Sequence, residues 1–335
     1  MVGTRHTRAP PGDTREVRII ADIGGTNARF ALIDGAGQTG ETRVLKCADY
    51  SDPVAAAGAF LDTTAPTSRP MRGAFAVASP VAEDQVTMTN HPWSFSVEDV
   101  RRRLGLDVLR VVNDFAAIAL AIPYLGQNDC YQVGGGEPVP DAPVAVLGPG
   151  TGLGASALVP AAGCWAPLAT EGGHVTMAAF DEREAAVLAN LRRTYDHVSA
   201  ERVISGPGLV NLYRSLCALD GRQADHAATP DAVSRLADDG TCPAATEALE
   251  MFCAMLGTVA SDLALSLGAL GGVYIAGGIV PKLGPAFAAS GFRRRFEDKG
   301  RFAAYLAATP VFVITHPLPA FVGLGAVAGE AADKD

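Results

Sequence analysis

The sequence predicts an α/β protein of two domains, and three observations carry that expectation. The chain has 335 residues, the size of two ordinary domains or one large divided one. Short runs rich in Val and Ile alternate with Ala- and Leu-rich helical stretches along its length. Two segments, 20–33 and 146–159, share one plan: apolar strand, glycine turn containing Gly-Thr, apolar strand. Either two domains each open on such a hairpin, or two unrelated glycine hairpins look alike by chance; the pattern alone leaves both open.

Taken in order, 17–23 reads as a strand, 28–33 as its return after Gly24-Gly25, and 43–47 as a third strand. Residues 53–61 are Ala-rich and helical, and 73–78 form an apolar strand. An amphipathic helix over 97–104 starts at Ser96, a residue type that caps helices. A strand at 108–112 leads to a helix at 115–122. After a Gly/Pro-rich stretch, 134–143, strands at 144–147 and 153–159 flank the turn 148–152. Helices follow at 182–194, 209–219, 232–237 and 246–267. A strand at 272–275 meets Gly277-Gly278, another lies at 311–315, and a helix closes the chain at 321–332. Residues 251–270 are apolar enough to resemble a membrane span, but Asp262 and several Gly, Ser and Thr residues favour a buried helix of a soluble protein.

Composition excludes several classes. Hydrophobic residues make up 48% and charged residues 19%, too apolar for a disordered chain. The net charge is −9, so a non-specific grip on nucleic acid or an anionic membrane is not expected. An anionic ligand would need local N–H groups or a metal ion. Six scattered cysteines lack zinc or redox spacing and read as free thiols in a reducing cytosol. Residues 1–16 carry Arg5, Arg8, Arg15 and Pro10-Pro11-Gly12 without an apolar core, which reads as a disordered tail and not a signal peptide. Neither Gly-x-Ser-x-Gly nor His-Glu-x-x-His occurs.

Chemistry-bearing residues gather at the strand ends. In the turn after Ala21-Asp22-Ile23, the pair Gly24-Gly25 permits positive φ and close approach of a ligand. Successive N–H groups there form an anion concavity, to which Thr26 and Asn27 add donors. A phosphate beside Asp22 would call for a cation between them, and hydrated Mg²⁺ suits. The alternative is a tight hairpin that Asp22 merely caps. A second turn, with Gly150-Thr151-Gly152, is neither Walker A nor the dinucleotide fingerprint. A third, Gly277-Gly278, ends a strand before Ile279-Val280-Pro281 and suits a nucleotide base or ribose. Asn113-Asp114 sits where a strand gives way to a helix, the place where α/β proteins bind ligands. The helix start favours an ionised Asp114 able to accept a hydroxyl proton; a bare capping role is the alternative. Glu171-Gly172-Gly173-His174 reads as a loop presenting two side chains to a polyol. Glu201 is either a first-turn helix charge or a ligand group.

Together these motifs resemble the bacterial glucokinases of the non-repressor type, within the sugar-kinase, heat-shock-ATPase and actin superfamily. The resemblance runs from about Val17 to Glu330 and rests on Asp22-Ile23-Gly24-Gly25-Thr26-Asn27-Ala28-Arg29, Met88-Thr89-Asn90-His91-Pro92-Trp93, Asn113-Asp114-Phe115, the 148–154 turn, Glu171-Gly172-Gly173-His174, the 199–208 segment and the 275–281 segment. The residues after His174 lack the cysteine-rich zinc loop of the repressor-and-kinase branch. The resemblance implies a two-domain actin-like ATPase fold (ribonuclease H-like) with an interdomain cleft. Its small α/β domain would span 17–124 plus 318–335 and its large α+β domain 125–317. It implies a cytoplasmic, homodimeric enzyme that uses ATP and Mg²⁺ to phosphorylate the 6-hydroxyl of D-glucose, with no nucleic acid or membrane partner. Asp114 would be the general base, and Asn113, Glu171, His174 and Glu201 would hold the other hydroxyls. Residues 21–27, Gly150, Thr151, Gly152, Gly277 and Gly278 would line the nucleotide, and Asp22 would hold Mg²⁺ through water. Two rivals are a filament-forming or chaperone ATPase and a sugar-sensing regulator without turnover. The polyol cluster speaks against the first, and Asp114 beside a phosphate cradle against the second.

Overall fold

The structure is a computed structural model that describes residues 16–66, 68–81, 83–161, 163–224 and 228–329. The tail expected over 1–16 lies outside these except for Glu16, as do residues 330–332 of the expected closing helix. The chain divides into two compact units, the first taking the described residues up to Gly126 with Trp165–Ala169 and those from His316 onward.

In the first unit the strands are β1 (Arg18–Ile23), β2 (Asn27–Ile33), β3 (Arg43–Lys46), β4 (Arg72–Val77), β5 (Gln85–Thr87), β6 (Ser94–Ser96) and β7 (Val108–Asn113). Five form one sheet in the order β3-β2-β1-β4-β7. β1 and β2 are an antiparallel hairpin, while β4 runs parallel to β1 and β7 parallel to β4. The register sets Ile23 opposite Val77 and Val77 opposite Asn113, so three strands end at one level. Ile19 and Ile20 are adjacent yet both fully buried, as a strand covered on both faces requires. One face packs on Phe30, Phe60 and Phe75, with the Phe30 and Phe60 rings stacked at 5.5 Å. The other is covered by α3 (Asp114–Ala121) and the C-terminal helix Pro319–Gly329. That helix approaches closely because position 323 is Gly: a Cβ there would overlap the Ala117 carbonyl oxygen. Capping begins α1 (Pro53–Thr64), where Asp52 accepts from the Ala55 N–H, and α2 (Val97–Leu104), where Ser96 accepts from the Asp99 N–H as the sequence predicts. β5 and β6, which pair with each other, are three residues each and too short to show a period.

The second unit, Gln127–Cys164 and Thr170–Thr315, repeats the plan. Its strands are β8 (Cys130–Gln132), β9 (Val144–Pro149), β10 (Leu153–Ala161), β12 (Gly272–Ile275), β13 (Val311–Ile314) and the two end residues of β11 (Cys164–Thr170), and the sheet runs β11-β10-β9-β12-β13-β8. Again a hairpin, β9 with β10, is followed by a parallel neighbour, β12 beside β9. This shared topology favours the repeated-domain reading of the two glycine hairpins over coincidence. The helices are α4 (Glu182–Leu191), α5 (Gly206–Leu219), α6 (Pro230–Asp238) and α7 (Pro243–Leu267). α7 is long and apolar enough to cross a membrane, but 67% of its most apolar window is buried, and Phe252, Met255 and Leu256 are core residues. Short helices between Val280 and Ala308, and strands β8 and β11, were not expected from the sequence. The helices and β8 lack the length for a clear period, and β11, seven residues long, is exposed or half-buried along its length and shows no apolar alternation. All six cysteines are free.

Candidate functional site

In the first unit, β1 delivers Asp22 and Ile23 to the turn. Gly24 N–H donates to the Asn27 carbonyl at 3.0 Å, and Cys47 N–H donates to that of Thr26 at 2.9 Å. Among the described residues, the N–H groups of Gly25 and Thr26 have no protein partner, which suits an anion. The expectation of positive φ is corrected, since neither Gly24 nor Gly25 adopts it. Gly25 is needed for a different reason: a Cβ there would lie 2.7 Å from the Asn90 carbonyl oxygen. Ala21 and Ile23 have fully buried side chains, so they shape the turn from beneath and expose no side chain to a ligand.

Asp22 does not cap the turn. Register sets it opposite Arg29, whose Nη1 donates to Oδ2 at 3.1 Å. Burial pushes the Asp22 carboxyl above its usual range, with the Arg29 charge and hydrogen bond pulling the other way. Arg29 was not singled out as Asp22's partner from the sequence, although a hairpin pairing 23 with 28 also pairs 22 with 29. Oδ1 is not engaged by any described residue. No cluster of three His, Cys, Asp or Glu side chains exists among the described residues. A magnesium ion that keeps most of its waters and shares substrate phosphates needs no such cage, so the Asp22 Oδ1 donor fits it.

At the end of β7, Asn113 is the N-cap of α3. Its Oδ1 accepts from the N–H groups of Phe115 (2.9 Å) and Ala116 (3.2 Å), and its Nδ2 donates to the Ser79 carbonyl at 3.4 Å. Asp114 Oδ1 accepts from Phe115 N–H at 2.9 Å. Capping, which the sequence left as an alternative, therefore falls mainly on Asn113. Asp114 starts the helix beside the carboxyl ends of β1 and β4.

The second unit gathers the other expected residues. The β9–β10 turn closes with Gly150 N–H donating to Gly152 O at 2.8 Å, and Gly206 N–H, opening α5, donates to Gly150 O at 2.8 Å. Glu201 lies in the single 3₁₀ turn Ala200–Arg202, and its Oε2 accepts from Leu153 N–H at 3.0 Å. Gly152 lies beside it, and a Cβ there would push that carboxylate oxygen away from the Leu153 N–H. Glu171 to His174 is not the open loop the sequence suggests. Gly172–His174 form a 3₁₀ turn with His174 N–H donating to the Glu171 carbonyl at 3.0 Å. Gly173 lies against the Leu153 carbonyl, where a Cβ would overlap it, and this contact drives the chain into the tight turn. The two side chains are each 56% exposed, with Nε2 of His174 3.9 Å from Oε2 of Glu171. Val175 O accepts from Ala200 N–H at 2.9 Å, tying this turn to that of Glu201. Gly277, at φ +84, lies against the Pro149 carbonyl, while Ala276 N–H donates to Leu147 O, so the second and third glycine turns adjoin. A cavity of about 130 Å³ lies between Gly172–Ala178 and α7, but its lining includes none of Glu171, His174 and Glu201.

The glucokinase family model matches residues 19–331. A glucokinase of Paramagnetospirillum magneticum is 57% identical over 307 residues, 91% of this chain and 95% of its own. A bifunctional protein glk of Paraburkholderia xenovorans is 49% identical over 97% of this chain, and the match spans 51% of that longer relative. Among solved structures, a glucokinase from an Antarctic psychrotroph matches with TM-score 0.85 at 38% identity, covering 94% of this chain and 99% of that one.

Proposed function

The chain belongs to the glucokinase family, and from that premise we propose which of its residues carry the phosphoryl transfer. Its fold is the two-domain actin-like fold of sugar kinases, and its activity is the ATP-dependent phosphorylation of glucose. Such transfer depends on positioning and charge neutralisation more than on covalent help from the protein.

In this reading Asp114 accepts the proton of the sugar 6-hydroxyl as that oxygen attacks the terminal phosphorus. Asn113 serves the sugar through Nδ2 alone, because Oδ1 is committed to the α3 cap. Glu171, His174 and Glu201 hold the remaining hydroxyls. The free N–H groups of Gly25 and Thr26 take phosphate oxygens, with the Gly150-Thr151-Gly152 turn serving the same nucleotide and Gly277-Gly278 bordering its nucleoside. Mg²⁺, held through water by Asp22 when bound, would neutralise charge on the phosphates. The reading takes the enzyme to act in the cytoplasm, where ATP is abundant, and the family resemblance extends it to a homodimer.

One observation supports the reading above the others. Parallel register brings Ile23, Val77 and Asn113 to one level, so the phosphate turn and Asp114 leave the same edge of one sheet. The test is Asp114→Asn, assayed by coupled detection of glucose 6-phosphate. Loss of a general base is expected to lower kcat by about 10²–10⁴-fold. Near-normal turnover in a folded variant would refute the role.

A further inference from the structure

We propose that Ser79, outside every motif considered above, is a positioning residue that holds Asn113 and the phosphate turn in one frame. The inference rests on the reading that Asn113 binds a sugar hydroxyl.

Ser79 follows β4 by two residues and is 3% exposed. The backbone before it is pinned twice: Ala78 N–H donates to Ile23 O at 3.1 Å, and Ser79 N–H to Val77 O at 2.8 Å. Pro80 follows, which biases Ser79 toward an extended backbone. The roles of the hydroxyl follow from its partners. Thr89 N–H can only donate, so Oγ accepts from it at 2.8 Å; the hydroxyl donates to Ala78 O at 2.7 Å, and Thr89 Oγ1 lies 3.3 Å from Oγ as a further hydrogen-bond partner. The Ser79 carbonyl accepts from Asn113 Nδ2.

Each end of this network reaches a substrate-facing group. On one side the Ser79 carbonyl fixes the amide plane of Asn113, whose second Nδ2 proton remains for the sugar. On the other, holding Thr89 holds Asn90, whose carbonyl packs against Gly25 in the phosphate turn. Without Oγ, the Thr89 N–H loses its acceptor and the link between β4 and Asn90 opens. The Ser79 carbonyl then loses the anchor that aims it at Asn113. A residue that only filled space would not couple to Asn113 in particular.

The experiment is a double-mutant cycle in the full chain: Ser79→Ala, Asn113→Ala and both together. KM for glucose, KM for ATP and thermal midpoint are read for each. Ser79→Ala is expected to raise the glucose KM about tenfold, the scale of one lost hydrogen bond in a partly buried network. In the Asn113→Ala background the same change should add less than about twofold, because contacting residues are not additive. Should Ser79→Ala fail to fold, Ser79→Cys keeps a weak acceptor of similar size and should give a smaller shift of the same kind. An unchanged glucose KM in folded Ser79→Ala, or full additivity with Asn113→Ala, overturns the proposal while leaving the role of Asn113 intact. An unchanged glucose KM in Asn113→Ala alone removes the role of Asn113 and the proposal with it.

Discussion

In the first unit Asn113 is buried with both ends of its amide engaged, whereas in the second Glu171 and His174 are each more than half exposed and 3.9 Å apart. Asn113 and Asp114 inherit their place from a parallel sheet and a capped helix. Glu171, His174 and Glu201 ride on two 3₁₀ turns that glycines press against the β9–β10 hairpin. A buried polar group must be satisfied before any ligand arrives, so the first set is preorganised. Glu201 is already held by the Leu153 N–H, whereas Glu171 and His174 would, in the proposed role, give up solvent only on binding. On the proposed roles, a change at Asp114 should therefore appear chiefly in kcat, and changes at Glu171 and His174 chiefly in sugar affinity.

The sharpest way to break that contrast is Gly173→Ala. Its Cβ would collide with the Leu153 carbonyl, and Leu153 N–H is the donor that holds Glu201. One methyl would thus displace at once the three side chains proposed to hold the sugar. A shift near 1 Å costs about 10²-fold, so kcat/KM for glucose should fall by at least that much. Overpacking should also remove roughly 1–3 kcal/mol of stability. Retained glucose affinity measured by calorimetry would mean that the turn yields without moving its side chains, and the contrast would fail.

Strands β1 to β4, β7, β9, β10, β12 and β13 were legible in the sequence, as was the placing of Gly24-Gly25 and Asn113-Asp114 at strand ends, because β-runs ending in Gly-Thr or Asn-Asp carry local signals. Ser96 as the start of α2 and the β9–β10 hairpin were legible for the same reason. What the sequence concealed is relational. The need for glycine at 25 and 173 comes from the Asn90 and Leu153 carbonyls, which are close in space and far along the chain. The positive φ expected of Gly24-Gly25 was a local inference, and a tertiary contact proved to be the cause at Gly25. Hydrogen bonds such as Glu201 to Leu153 and Asn113 to Ser79 leave no periodic trace. Strands of three residues fall below the length at which a period can be read.

A milder test separates charge from shape in the second unit. Glu171→Gln keeps the side-chain volume and removes the charge. A hydrogen bond to a charged group contributes about 1.5–3 kcal/mol, and an exposed carboxylate belongs at the low end. Glucose affinity should fall roughly tenfold while ATP affinity stays nearly unchanged. Equal loss of both affinities would point to a distorted fold and not to a missing sugar contact.

The smallest effect concerns Asp22, where the preorganised unit holds a charge it would be more stable without. Burial raises the carboxyl above its usual value of 3.8, and Arg29 only partly offsets this. Between the ordinary and the raised value, the folded protein still binds a proton that the unfolded chain has released. Stability then falls as pH rises through that window and levels off above it. Asp22→Asn removes the titration and sacrifices an ion pair whose Arg29 side is 41% exposed, a contact of little worth in water. The thermal midpoint of the variant, relative to the parent, should therefore rise with pH from 3.8 upward and then become flat, even as activity declines. A midpoint difference that moves the opposite way would show that the Arg29 charge outweighs burial, making Asp22 a stabilising carboxylate. The first unit would then hold its Gly24-Gly25 turn by an ion pair, and not at the expense of a buried charge.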